Sequence, residues 1–285
     1  MQPRWIFLAE FAVVAFESFA FLAIGCLLCK RHKWAYYACI IVGAGCVFYR
    51  VLTSTYPQRF YIPLPYLVMA GVITPAGFLL LAAALAPAKK NSRQRILIGV
   101  FSVVLTYYVF CDVGYLLVKG AEIARLAGQW EHETMRQSRI YTCGPAAGAA
   151  LLQAWGLMVR EGELAFAART SFRGTELPRL ADAIRFFGRY KPLTVKIKSV
   201  TFDELYEMNR PAVLLVEKGR LRHVVTLLKM NDGKLKIADP SNGTRELSIK
   251  EFWRIYGWDG RAIVAWRDPD FPRLSHEPPE PFLHR

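Results

Sequence analysis

The sequence predicts a chain in two parts: an all-α transmembrane region of four helices over residues 1–118, followed by an α+β water-soluble domain over residues 137–267. Three observations predict it. Four apolar runs come in series before residue 119, each close to the roughly 20 residues that a helix needs to cross a hydrocarbon core. The charge is divided at the same place: residues 1–118 hold three acids (Glu10, Glu17, Asp112) against ten bases, whereas the remaining 167 hold 20 acids and 27 bases. Beyond residue 137, short strand-like segments alternate with helix-like ones. A composition that is 53% hydrophobic and 21% charged excludes a disordered, collagen-like or disulfide-stapled chain.

The four runs span about 5–29, 34–52, 66–87 and 96–118, with Trp5, Trp34, Tyr36, Tyr37, Tyr61 and Tyr66 near their ends, where amphipathic rings favour the headgroup level. The first run is too long for a cleaved signal peptide and has no clean small-x-small exit, so it reads as a retained helix. Lys30, Arg31 and Lys33 follow it, and Lys89, Lys90, Arg93 and Arg95 follow the third run. By the positive-inside rule these loops face the cytoplasm, which puts both termini and the soluble domain outside a bacterial cell membrane. Glu10, Arg50 and Asp112 then fall toward one leaflet, where they can pair; a structural polar cluster and a substrate groove are both open readings.

The net charge of +14 does not point to nucleic acid, because no zinc-finger spacing or RNA-binding aromatic signature accompanies it. Five of the six cysteines (Cys26, Cys29, Cys39, Cys46, Cys111) lie in the apolar runs and read as small apolar filler; Cys26 and Cys29 lack the second pair that a metal site needs. No metal or cofactor is expected. No G-x-x-x-x-G-K-[ST] loop occurs, so ATP is not expected as a ligand. Residues 119–136 read as a charged linker and residues 268–285, with five prolines, as an extended tail.

In the soluble part, helices are expected at 144–156, 161–169, 176–188, 202–209 and 248–256, and mostly antiparallel strands at 193–199, 211–217, 221–229, 234–238 and 261–266. Chemistry concentrates where the first helix begins. Pro145 suits a first helical turn, Ala146 to Ala150 allow close approach of another element, and Leu151, Leu152 and Trp155 give an apolar stripe. Cys143 therefore stands at a helix N-terminus, where free amides and the helix dipole favour thiolate over thiol. His223 lies on a strand, and the tight turn at Asn231–Gly233 returns the next strand beside it, so that Asp239 at its end can orient the imidazole. Gln137, six residues before Cys143, can offer its amide to a developing oxyanion together with the Cys143 backbone N–H. Each of these residues has a structural reading when taken alone: an inert thiol, a core histidine, a turn. Their combination in this order points to nucleophilic catalysis.

The run Gln137-x5-Cys143-Gly-Pro-Ala, the strand His223-Val-Val and the turn Asp239-Pro-x-x-Gly together resemble the C39 peptidases, which are papain-like cysteine peptidases best known for cleaving leader peptides after a Gly-Gly pair. Arg173-Gly-Thr175 with the segment 176–187, and Leu247 to Phe252, resemble further parts of the family, so the likeness covers about Gln137 to Trp266. It implies that Cys143 is the nucleophile, His223 the general base and acid, Asp239 the orienting carboxylate and Gln137 the oxyanion donor. The expected function is that of a membrane-anchored cysteine endopeptidase working through a thioester on a peptide or protein substrate, with the lipid bilayer and a separately encoded exporter as partners. The alternative is a non-catalytic C39-like module that binds a peptide for export. Two features depart from exporter-linked peptidases: the ATP-binding loop is missing, and the apolar runs precede the peptidase segment.

Overall fold

The computed structural model describes residues 4–55, 78–85, 96, 100, 115–189, 191, 193–219, 221–231 and 233–267. Two compact units divide the chain, one over Gln2–Ala121 and the other from Glu122 onward. In the first unit, α1 (Arg4–Arg31) and α2 (Lys33–Thr55) meet at His32, and α3 (Phe78–Leu85) packs against both. Gly25 permits the approach, since a Cβ there would come within 2.7 Å of the Ala82 Cβ.

Among the described residues, a single stretch, Ala12–Arg31, has the length and apolarity to cross a membrane, in place of the four expected. The apolar part of α2, Lys33–Tyr49, is shorter. At 1.5 Å per residue it covers about 25 Å, less than a hydrocarbon core of about 30 Å. The runs 66–87 and 96–118 fall largely outside the described residues, as do the side chains of Glu10, Arg50 and Asp112 and the segment 268–285. A helix such as Ala12–Arg31 serves as a membrane anchor or as a signal sequence.

The second unit is an α+β fold built on one antiparallel sheet. After α4 (Tyr115–Ala124) come β1 (Gln129–Glu131) and β2 (Thr134–Arg136), a small hairpin within the segment expected to be a linker. Its turn needs a positive φ, which His132 supplies at 56°. The hairpin does not hang free. Met135 is buried against Ala146 and Ala149, Thr134 Oγ1 lies 2.8 Å from Thr244 Oγ1, and Glu133 pairs with Lys236.

Then follow α5 (Cys143–Ala154), α6 (Glu161–Ala167), α7 (Leu177–Gly188), β3 (Leu193–Ser199), α8 (Phe202–Met208), β4 (Ala212–Lys218), β5 (Leu221–Asn231), β6 (Lys234–Asp239), β7 (Gly243–Ser248), α9 (Ile249–Ile255) and β8 (Gly257–Arg267). The sheet runs β3-β8-β4-β5-β6-β7. Expected helices and strands recur within a few residues of the observed ones, except that β7 and the β1–β2 hairpin were not expected and β8 begins four residues before the expected 261.

Local chemistry sets these boundaries. Thr201 and Ser248 cap α8 and α9, each accepting the N–H of the glutamate three residues on (Glu204, Glu251), whose carboxylate reaches back. Pro178 opens α7. Because side chains alternate along a strand, the sheet has an apolar core on each face. On one face Leu151, Leu164, Leu180 and Ile184 of α5–α7 cover Val195, Val213, Val224 and Ile263. On the other, Leu205, Phe252 and Tyr256 cover Leu214, Val225, Ile237 and Val264. The small residues of α5 are what bring it onto the sheet: Ala146, Ala147, Gly148, Ala149 and Ala150 are all buried, and the Thr226 hydroxyl donates to the Ala147 carbonyl at 2.7 Å.

Candidate active site

Cys143 is the first residue of α5. The turn before it is closed by Thr142, whose hydroxyl accepts from Arg139 N at 3.1 Å and donates to Arg139 O at 2.8 Å. The first amides of a helix have no partner within it, so an N–H at this position is open to a negatively charged group. Gly144 lets the 170–175 segment approach, since a Cβ there would lie 3.2 Å from Thr175 Cβ.

His223 is the third residue of β5 and Asp239 the last of β6. The two strands pair antiparallel with Thr226 opposite Ala238, which sets Asp239 at the end of the ladder nearest His223. The His223 ring is 8% exposed and the Asp239 carboxylate fully buried; Nε2 and Oδ1 are 2.7 Å apart. Ser241 Oγ lies 3.4 Å from the same Nε2, and Cys143 is near enough to act on the ring electrostatically. Three of the four residues singled out in the sequence thus meet at one place, the imidazole on the carboxylate and Cys143 beside them.

The electrostatics follow from that arrangement. Burial pushes the His223 pKa down, but the hydrogen bond donated to Asp239 and the electrostatic influence of Asp239 and Cys143 outweigh it, raising the imidazole from 6.5 to about 9. For Asp239, burial alone would raise the pKa. Four side-chain donors, His223, Tyr256, Asn242 and Ser241, instead hold the carboxyl far below the usual carboxylate range. Ser241 donates its N–H and its hydroxyl to Oδ1 at 2.8 and 2.7 Å, and the Tyr256 hydroxyl donates to Oδ2 at 2.6 Å. Lys218 Nζ lies 3.6 Å from Oδ2.

Gln137 sits at the same end of the domain, its N–H donated to the Pro240 carbonyl at 3.1 Å. Its side-chain nitrogen donates to Arg139 O at 3.0 Å, and its Oε1 is buried without a partner. The neighbouring Ser138 is held by Glu161, a fully buried carboxylate that accepts its backbone N–H at 2.8 Å and also its hydroxyl.

Tyr256, Ser241, Asn242, Lys218 and Glu161 were not among the residues the sequence marked. Ser241 carried a signal, since an aspartate at the start of a turn accepts the backbone N–H two residues on. Tyr256 and Glu161 carried none, because their roles exist only once distant elements meet.

The model of the peptidase C39 family matches residues 131–270. Uncharacterised proteins of Methanothermobacter marburgensis and Methanothermobacter thermautotrophicus are each 31% identical, over 136 and 134 residues, which is 48% and 47% of this chain and 89% and 88% of theirs. The chain belongs to the peptidase C39 family. Among solved structures, the C39 domain is similar to the peptidase domain of Streptococcus ComA, a bifunctional ABC transporter of a quorum-sensing pathway (22% identity, TM-score 0.42, 48% of this chain and 100% of that one). It is also similar to a double-glycine-motif protease from an AMS/PCAT transporter, solved with its leader peptide (20% identity, TM-score 0.41, 50% of this chain and 94% of that one).

Proposed function

We propose that the protein is a membrane-anchored cysteine endopeptidase in which Cys143, His223 and Asp239 act together and Gln137 assists. The observation that carries this reading is the position of the imidazole, hydrogen-bonded to a buried carboxylate and close enough to Cys143, at the start of α5, to be acted on by it. His223 takes the thiol proton, and the sulfur attacks the peptide carbonyl carbon. The oxyanion is met by the Cys143 N–H and by the Gln137 amide proton that Arg139 does not use. Collapse of the tetrahedral adduct breaks the C–N bond, and the leaving amine takes its proton from the imidazolium. The thioester is then hydrolysed by a water whose proton returns to His223, which releases the carboxylic acid and restores the thiol. Asp239 stays ionised throughout and keeps the ring turned to the sulfur.

The substrate class that fits is an extended peptide, and a leader ending in Gly-Gly is the first to test, as a protein of similar fold was solved with such a leader. Anchoring is assigned to Ala12–Arg31, with the basic residues Lys30, Arg31 and Lys33 at the cytoplasmic face. With this one anchor the C39 domain, which follows the basic flank, lies on the cytoplasmic side, in place of the outer position expected from four runs. A reporter fused after Arg285 and active only outside the cytoplasm should then stay silent in a stably expressed fusion, while an active fusion would place the domain outside.

The deciding experiment compares the full chain with Cys143→Ala, both on Gly-Gly leader peptides in detergent and through the peptides that accumulate in cells, read by mass spectrometry. Turnover should fall by about 10⁴-fold or more on loss of the nucleophile. Cellular function retained by Cys143→Ala would overturn the peptidase reading in favour of peptide binding.

A further inference from the structure

The peptidase reading accounts for His223 and Asp239 but gives no task to Tyr256, and the inference drawn here rests on that reading. Tyr256 is fully buried, and its hydroxyl reaches the carboxylate across the sheet from a different core than the one that holds Cys143. Its place is rigidly set. The backbone N–H at 256 is donated to Phe252 O at 2.7 Å, closing α9 after a helix whose start is fixed by the Ser248–Glu251 capping box. The ring packs on Phe252 with centroids 5.3 Å apart, and Phe252 in turn meets Phe202 and Trp258. A phenol has only its C–O torsion left to adjust once the ring is locked, so the direction of its O–H bond is prescribed by the aromatic cluster.

The two carboxylate oxygens of Asp239 have different tasks. Oδ1 faces His223 and the two donors of Ser241; Oδ2 faces Tyr256, Asn242 and, at 3.6 Å, Lys218. The serine, asparagine and lysine donors stand on an exposed turn or on a partly exposed side chain, whereas the tyrosine comes from the packed interior. We propose that Tyr256 is a positioning residue of the peptidase site: by donating to Oδ2 it locks the carboxylate with Oδ1 on His223 and withdraws part of the negative charge that the imidazole feels. A carboxylate deprived of that donor is a stronger acceptor, so the ring binds its proton more tightly and becomes a weaker acid toward the leaving amine. The charged and titratable groups facing this pair are Cys143 from α5, Lys218 from β4 and Tyr256 after α9, with Arg245 of β7 acting on the phenol.

The test is a pH titration of the His223 ring by NMR in the full chain in detergent, with 13C-labelled histidine and His223→Gln used to assign the signal. Tyr256→Phe should raise the imidazole pKa by about half a unit or more. The alkaline limb of kcat/KM should move up by the same amount, and kcat should fall several-fold with KM little changed. A second variant guards against a folding defect: 3-fluorotyrosine incorporated at position 256, a stronger donor of the same shape, should move the ring pKa the opposite way. An unchanged or lowered pKa in Tyr256→Phe with its near-UV spectrum intact, or the same direction of shift in both variants, would overturn the proposal. The ring titration needs no substrate, so an enzyme that turned nothing over would sink the peptidase reading while the NMR result still decided the role of Tyr256.

Discussion

Asp239→Asn removes the charge beside His223 while keeping the size of the side chain, and its effect can be worked from the geometry. In the folded protein the ring is carried from 6.5 to about 9. At about 1.4 kcal/mol per pKa unit, folding strengthens proton binding at His223 by on the order of 3 kcal/mol. Burial opposes this, and Asp239 leads the influences that overcome it. Because the folded pKa is the higher one, the linked stability is fully present below about pH 6.5 and is lost as the pH rises through about 9. Urea unfolding of the wild-type chain in detergent should therefore weaken by about 3 kcal/mol between pH 6.5 and pH 9.5 through this residue. In Asp239→Asn, burial acts without the carboxylate to oppose it, so most of that pH dependence should vanish. Taking the difference between the two proteins at each pH cancels other titrating groups. Parallel stability curves for the two, with no change in their separation across this range, would refute the assignment of the raised imidazole to Asp239.

Two further substitutions test the frame around the site. Gly148→Ala places a Cβ 2.5 Å from Leu164 Cδ2 and 3.1 Å from Leu180 Cδ1, so urea unfolding should show a loss of about 1–3 kcal/mol from overpacking. Glu161→Gln weakens the hold on Ser138 beside Gln137: a loss of about 1–3 kcal/mol in stability and a fall in kcat with little change in KM are expected from steady-state kinetics.

The parts of the site that could be read in advance share a property: each is announced by residues close in sequence. Cys143 is followed at once by Gly144-Pro145-Ala146, and His223 and Asp239 belong to two strands joined by a short turn, so local pattern sufficed to bring them together. The β1–β2 hairpin was invisible because strands of three residues show no period, and its charged sequence masks the burial of Thr134 and Met135. β7 was missed for a related reason. It is an edge strand with the polar sequence Gly-Thr-Arg-Glu-Leu-Ser, which reads as loop because only one side of it is paired. The four-run membrane reading came from apolar length, end aromatics and basic loops; it placed the break near His32, but did not register where the apolar part of the second helix stops, at Tyr49.

The sheet separates two interiors, and the line of side chains from Cys143 to Asp239 draws on both: Cys143 rests on one and the carboxylate's phenolic partner on the other. Under the proposed peptidase reading, turnover then acts as a strain gauge for the whole domain. Catalytic groups have to be held within about 0.5 Å of their productive geometry, so a packing loss on either side should make hydrolysis fade at temperatures where spectroscopy still finds the domain intact. Variants selected for stability alone would be expected to drift from the alignment that turnover requires.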